Sequence, residues 1–250
     1  MGKLIQSAQV LWARSLAYPT LSEFQERIAG QTILEIGRRG KFLIFYLSDS
    51  VLILHLRMSG DIYVLPEDQP LAPHDRVVIH FDGSVRMAFN DMRKFGRVWL
   101  VGDEQQITGD LGPEPLDTSL SQDIFFDRLQ TCQRQIKPLL LDQSFMAGMG
   151  NIYTDEALHR AHLHPLERSN HLSLEQSNRL LDCIRQVLEE GIRRNGASID
   201  WVYRGGDFQN YFRAYQRTGQ PCLECGTPIE RILIGQRGTH FCPKCQVKPD

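Results

Sequence analysis

This 250-residue sequence is bounded first by what it lacks. No apolar run approaches the roughly 20 residues a membrane-spanning helix needs, which argues against such a helix. No signal-peptide pattern opens the chain. The start, Met-Gly-Lys-Leu-Ile-Gln, has the Gly2 that myristoylation requires but Gln6 where a Ser or Thr is wanted, so lipidation is not expected. Internal repeats and low-complexity tracts are absent, which argues against a solenoid or a long disordered tail. An excess of charge of one sign is also missing: 28 Lys and Arg face 30 Asp and Glu, so the molecule as a whole does not advertise a polyanionic partner. His55, His74 and His80 fit no metal-ligand spacing with one another, and cysteine is sparse, at six residues. The remaining bulk numbers, 42% hydrophobic and 23% charged, are those of an ordinary globular protein with room for one large or two medium cores.

What is present is unevenly placed. Residues 201–250 carry seven Lys and Arg against four Asp and Glu, and nucleic-acid binding needs a basic face rather than a basic average. The first hundred residues read as β: "QTILEI", "KFLIFYL", "VLILHLRMSG", "DIYVL", "RVVIHF" and "VRMAF" are short β-branched or aromatic runs separated by turn residues. Several are apolar on both parities, as in two packed sheets. Apolar density falls across "GDEQQITGDLGPEPLD", and beyond it the period becomes helical. Ser173-Leu-Glu-Gln176 is a capping box that opens an apolar stripe from Leu174 to Ile192, with Glu189/Arg193 and Glu190/Arg194 as i,i+4 pairs and Gly196 as the stop. Shorter helices are expected over 122–131 and 134–145, and another from Asn151. The expected domains are a β-sandwich over 1–105, a helical domain over 119–216 and a hairpin over 217–250.

The hairpin carries the strongest local signal. Cys222, Cys225, Cys242 and Cys245 form two Cys-x-x-Cys pairs flanking a strand, a Gly-bounded turn and a second strand, with Arg237 at the turn. Four thiolates suit tetrahedral Zn²⁺ and leave no open position, so the metal would be structural; without a secretion signal, disulfides or an iron–sulfur centre are the weaker readings. "MAGMGNIYTDEAL" puts Gly148 and Gly150 ahead of a helix, where N–H groups bind phosphate; read locally, a tight turn between packed helices is favoured. Arg38, Arg39 and Lys41 lead into a strand, and Arg93, Lys94 and Arg97 surround Phe95. Such a set suits a nucleic-acid groove with a stacking wedge, while by itself a solvated strand end with Phe95 in the core is the plainer reading. Cys132 and Cys183 read as small buried residues.

Taken together, "RRGKFL", "HLRMSG", "DMRKFG", "LGPEPL", "IKPLLLDQ", "GMGNIYTDEAL", "CGTPIE" and "GQRGTHFCPKC" follow one another as they do in formamidopyrimidine-DNA glycosylases, a resemblance that runs from about residue 30 to the end and more weakly from the start. The resemblance implies an α+β multidomain protein: an antiparallel β-sandwich, then a helix-two-turn-helix domain, then a zinc ribbon. It implies base-excision repair of oxidised purines in duplex DNA, with glycosylase and AP lyase activities, one structural zinc, a monomer and a place with the cytoplasmic nucleoid. By position, Lys41 would assist strand cleavage and Arg237 would grip the phosphates flanking the lesion. Lys137, Asn151 and His74 would contact DNA, and Met58, Arg93 and Phe95 would fill the gap left by the extruded base.

The sequence also departs from the pattern. The family's nucleophile and acid/base lie in a leading Pro-Glu-Leu-Pro-Glu segment, which these 250 residues do not contain; "MGKLIQSAQVLWARS" matches what normally follows the first helix. Cys132-Gln133-Arg134 replaces a more basic stretch, and "VYRGGDFQNYF" looks short where the family covers the flipped base. Two readings follow: a bifunctional glycosylase and lyase whose sequence here lacks its start, or a non-catalytic relative that binds damaged DNA. The 250-residue chain is therefore expected to bind abasic DNA yet give almost no borohydride-trapped adduct, and a preceding Pro-Glu-Leu-Pro-Glu segment with the rest of its helix is expected to restore adduct and nicking. Efficient trapping by the 250 residues alone would point to another amine, Lys41 or the Gly2 terminus.

Overall fold

Period-two alternation of apolar side chains builds the first half of the chain. In the computed structural model, which describes residues 1–199 and 205–249, the chain divides into two units, Met1–Asp110 and Leu111–Asp250. The first unit holds strands β1 (Ile5–Val10), β2 (Leu16–Tyr18), β3 (Ile33–Arg39), β4 (Phe42–Leu47), β5 (Val51–His55), β6 (Gly60–Pro66), β7 (Asp75–Phe81), β8 (Val85–Asp91) and β9 (Arg97–Val101). Helix α1 (Leu21–Ile28) follows β2, and the short α2 (Gln105–Thr108) follows β9. The strands form a four-stranded sheet, β1-β7-β8-β6, and a five-stranded sheet, β2-β9-β5-β4-β3. Only β2 with β9 is parallel.

The inner faces of the two sheets meet in one core. Ile5 and Ala8, Val77, Ile79 and Phe81, and Met87 and Phe89 come from the first sheet; Phe45, Leu52, Leu54, Val98 and Leu100 come from the second. A sandwich alone would leave the alternate residues of β4, β5 and β9 wet. They are buried because Ile44, Ile53 and Val101 form a second, smaller cluster on the outer face, with Trp99 and Ile107 packed against it. That cluster explains the apolar residues on both parities. Helix α1 was not expected, although Thr20 and Glu23 make a complete capping box. Its Phe24 and Ile28 complete the main core.

The second unit contains α3 (Gln122–Gln130), α4 (Ile136–Leu141), α5 (Asn151–Arg160), α6 (Leu174–Arg193), β10 (Glu230–Ile234) and β11 (Arg237–Phe241). The Ser173–Gln176 capping box is formed, and Leu180, Leu181, Ile184 and Val187 face the helical core, while Leu174 and Ile192 at the ends of the stripe stay exposed. Glu190 does not pair with Arg194. It meets Arg160 of α5 at 2.5 Å, and Arg194 lies over the Tyr211 ring. Of the loop 202–212, residues 202–204 lie outside the described residues.

Helix α4 is shorter than the expected 134–145, because the backbone turns to an extended conformation at Asp142. Asp142 occupies the C-cap position, and its side chain holds the exit: Oδ1 accepts from the backbone N–H and hydroxyl of Ser144, and Oδ2 accepts from Arg134 at 2.6 Å. The Arg134 guanidinium first, and Ser144 second, hold the Asp142 carboxyl down at about 2. A carboxyl depressed on folding stabilises the fold above its unfolded value, near 4, and the gain is lost as pH falls through the folded value. Partial exposure reduces the gain to about 1 kcal/mol. Asp142→Asn should therefore cost about 1 kcal/mol at pH 7 in denaturant titrations, with the difference closing between about pH 5 and pH 2. A difference constant across that range would remove the ion pair as its cause.

Candidate nucleic-acid interface

In the first unit a single buried carboxylate assembles three turns. Asp91, at the end of β8, has no exposed surface. Its Oδ1 accepts the Ser59 hydroxyl at 2.5 Å and the Arg93 N–H at 3.1 Å, and its Oδ2 accepts the Gly96 N–H at 2.7 Å. The Asp91 backbone is held as well: its N–H donates to the His74 carbonyl, and its carbonyl accepts from Arg76 Nε. Arg76 in turn lies 3.3 Å from His74 Nδ1. Thus the turns carrying Met58, His74 and the Arg93–Phe95 segment share one anchor. A charge with this many partners offsets the cost of burying it.

The 91–97 turn closes tightly. Gly96 lies against Phe89, where an added Cβ would come within 2.2 Å of the ring, and Arg97 donates to the carbonyls of Lys94, Phe95 and Gly96. Lys94 takes a positive φ of 63° and places its ammonium 3.9 Å from the centroid of Trp12. With Lys94 laid on Trp12, Arg93 and Phe95 are exposed beside it, the guanidinium 5.2 Å from the Phe95 centroid. Phe95 is 49% exposed and Met58 61% exposed. Phe95 is therefore not a core residue. Lys41 is exposed in the Gly40-Lys41 turn between β3 and β4. Nearby, burial above all, then the charges of Arg57 and Lys41, push His55 down to about 4, and its Nδ1 accepts the Arg57 N–H. His55 is thus a neutral structural imidazole.

In the second unit the hairpin β10–β11 is docked on α4 and α5. Gly235 and Gln236, both at positive φ, make the two-residue turn, the geometry that suits hairpin twist. Arg237 is the first residue after it and is exposed. The next carbonyl, that of Gly238, accepts from Lys137 Nζ at 3.1 Å and from Asn151 Nδ2 at 3.0 Å. Lys137 is wholly buried and pairs with Asp155 at 2.5 Å. Asp155 uses its other oxygen for the N–H of His240, at 2.9 Å, and lies 3.2 Å from that residue's Nδ1. Burial pushes the Lys137 ammonium below its ordinary value; Asp155 opposes the shift and the Arg237 charge adds to it. Asn151 opens α5 at its first position rather than capping it, since Gly150 is the cap. Glu156 accepts the N–H groups of Arg213, Ala214 and Tyr215, fixing the segment that leads into the ribbon. Burial raises its carboxyl, and those three donors pull it back.

The four sulfurs of Cys222, Cys225, Cys242 and Cys245 all lie within 4.8 Å of one another. Tetrahedral Zn–S bonds of about 2.3 Å require sulfurs about 3.8 Å apart, so the set fits one zinc with no open position. Cys242 and Cys222 pack with Ile229 in a small core of their own. Gln246 links that core to the helices: its Oε1 accepts the Cys242 N–H and its Nε2 donates to the Leu163 carbonyl. Cys183 is buried and Cys132 half-buried, both outside the cluster. Sequence reasoning missed Asp91, Ser59, Asp155 and His240. Asp91 and Asp155 sit inside motifs already singled out, next to the basic and glycine residues that drew attention.

An antiparallel-sheet domain, followed by a helix-two-turn-helix domain and a four-cysteine ribbon, defines the class of DNA glycosylases built on these three parts. The family model described as "Formamidopyrimidine-DNA glycosylase N-terminal domain" matches residues 1–98, "Formamidopyrimidine-DNA glycosylase H2TH domain" matches 111–202, and "Zinc finger found in FPG and IleRS" matches 219–247. The chain belongs to the formamidopyrimidine-DNA glycosylase family of DNA-repair enzymes. The glycosylase of Protochlamydia amoebophila is 41% identical over 257 residues, covering 99% of this chain and 93% of that protein. That of Ligilactobacillus salivarius is 43% identical over 256 residues, covering 99% and 92%. A structure of MutM with DNA containing carbocyclic 8-oxo-G superimposes with a TM-score of 0.92 at 35% identity, covering 99% of this chain and 93% of that one. The Lactococcus lactis enzyme with DNA containing an abasic site gives 0.91 at 35%, covering 99% and 94%. Among the described residues no helix is long and apolar enough to cross a membrane.

Four thiolates of this kind bind zinc with an apparent free energy of about 10–16 kcal/mol. One zinc per chain should therefore copurify, and Cys242→Ser should unfold the ribbon and weaken DNA binding while the sandwich still melts as in the native protein. Metal analysis finding no zinc in fresh protein would remove the ribbon as a fixed support for Arg237.

Proposed function

We propose that this chain excises oxidised purines, formamidopyrimidine and 8-oxoguanine, from duplex DNA and nicks the resulting abasic strand, acting as a monomer on chromosomal DNA in the cytoplasm. The observation that carries the proposal is the Asp91 anchor, which exposes Met58 and Phe95 on turns it also fixes. An enzyme acting on a base must take it out of the stack and fill the gap. Two large apolar side chains held rigidly in water suit that task, and Arg93 beside Phe95 supplies a donor for the unpaired opposite base. The domain limits 1–105, 119–216 and 217–250 are adopted with it.

Arg237 is assigned to the flanking phosphates, with Lys41 assisting cleavage of the sugar–phosphate strand and His74 on the backbone. Lys137 and Asn151 are assigned to the DNA backbone through the hairpin: both donate to the carbonyl of Gly238, next to Arg237. The glycosylase step needs a nucleophile at C1′ of the damaged nucleotide, which by resemblance to the family is the amine of a leading proline.

Two substitutions separate the roles. Arg237→Ala should weaken binding to every duplex and lower the slope of log K against log salt by about one. Phe95→Ala should abolish preference for a lesion or abasic site over intact duplex while keeping most of the salt dependence. Equal loss on damaged and intact DNA would refute the wedge assignment. Nicking of 8-oxoguanine duplex by the chain preceded by Pro-Glu-Leu-Pro-Glu and the rest of its helix tests the activity itself. If none is seen, a damaged-DNA-binding module is the reading that stands.

A further inference from the structure

Helix α5 turns one polar stripe toward the ribbon. Asn151, Asp155 and His159 are four residues apart and so lie on one face. Asn151 holds the Gly238 carbonyl, Asp155 holds His240, and His159 Nε2 lies 3.4 Å from Cys222 Sγ. The first two contacts fix the hairpin. The third reaches the metal knuckle, and nothing in the family comparison assigns it a role.

We infer that His159 is a positioning residue of the zinc centre, its Nε2–H donating a hydrogen bond to the Cys222 thiolate and fixing that ligand to α5. His159 has no exposed surface. Its Nδ1 is buried without a partner. A proton at Nδ1 would be a donor with no acceptor, whereas a proton at Nε2 faces a sulfur that zinc keeps as thiolate. The second tautomer satisfies the one obligatory N–H. A hydrogen bond from outside the ligand set draws electron density from a thiolate and holds its orientation. Cys222 should then be a weaker nucleophile than an unbonded zinc thiolate, and zinc should leave more slowly. The knuckle is registered on the helix whose other end registers Arg237, so the metal and the arginine share one scaffold.

The inference rests on the zinc assignment, which metal analysis tests separately. The test compares the native full chain with His159→Phe, which keeps the ring and loses the donor, and His159→Gln, which keeps an N–H. Each zinc-loaded protein is treated with iodoacetamide, whose carbon gains the thiolate as iodide leaves, and zinc release is followed with a chromogenic chelator. His159→Phe should release zinc several-fold faster than native protein, and His159→Gln should fall closer to native. Equal release in His159→Phe and native protein, or no recovery in His159→Gln, would overturn the inference. Should the Phe variant not fold, the native chain decides: with ¹¹³Cd in place of zinc and ¹⁵N-labelled histidine, a proton on Nε2 coupled to the metal across the sulfur is expected, and a proton on Nδ1 refutes it.

Discussion

A lysine and an aspartate without exposed side-chain surface, Lys137 and Asp155, are where the helical body and the ribbon become one object. Two charges out of water are costly, and their attraction alone does not reliably recover the cost. Here the remaining valences are used. The ammonium also donates to the Gly238 carbonyl, and the carboxylate also accepts from His240. Removing either member would strand the other, a loss of about 3–5 kcal/mol in such pairs. The hairpin is too small to hold its own position, since its private core is little more than Ile229 and the cysteines. The ion pair gives it a fixed seat, and the exposed Arg237 inherits that position.

The sandwich solves the same problem with the same device. Asp91 is a buried carboxylate whose partners are mainly the donors of turns, and through Ser59, Arg93 and Gly96 it holds the turns that expose Met58 and Phe95. In both units a carboxylate with no exposed surface holds backbone, and the backbone carries exposed side chains outward. This division of labour suits a protein that must meet a deformed duplex. Recognition residues on loops are precise only if the loops are rigid, and rigidity comes from satisfied polar groups behind them. Lys94 is exposed, yet its ammonium lies over Trp12, so a cation within a basic motif makes a local cation–π contact.

The four cysteines, the capping box of α6 and the change from period two to helical period were legible because each is a local signal. The sandwich was legible too, but the apolar residues on both faces of β4 and β5 had a cause the sequence could not display: the outer cluster with Trp99 and Ile107 depends on a helix of only four residues. Helix α1 was missed although its capping box lay open in Thr-Leu-Ser-Glu, because strands on both sides set the expectation. Phe95 divides the local and the global reading most clearly. Alone it reads as core, and the motif order alone places it in solvent. What decides is the pairing of Asp91 with Ser59 across 32 residues, a contact no window of sequence contains.

Lys137 and Asn151, proposed to act on the DNA backbone, are already engaged inside the protein. Lys137 has three N–H bonds to give; one goes to Asp155 and one to Gly238, and its side chain has no exposed surface. Asn151 gives one amide proton to the same carbonyl, and its Oδ1 is buried without a partner. Both residues are thus committed to the peptide group that follows Arg237 before any phosphate arrives. If Arg237 grips phosphate as proposed, their influence on DNA runs through the peptide that follows that arginine. A residue that binds phosphate directly adds a counterion-release term, and a residue that aims another leaves that term in place while changing how well the arginine meets its target. Exposed charge and position thus fall to different side chains: Arg237 carries the one, and Lys137 and Asn151 hold the peptide beside it.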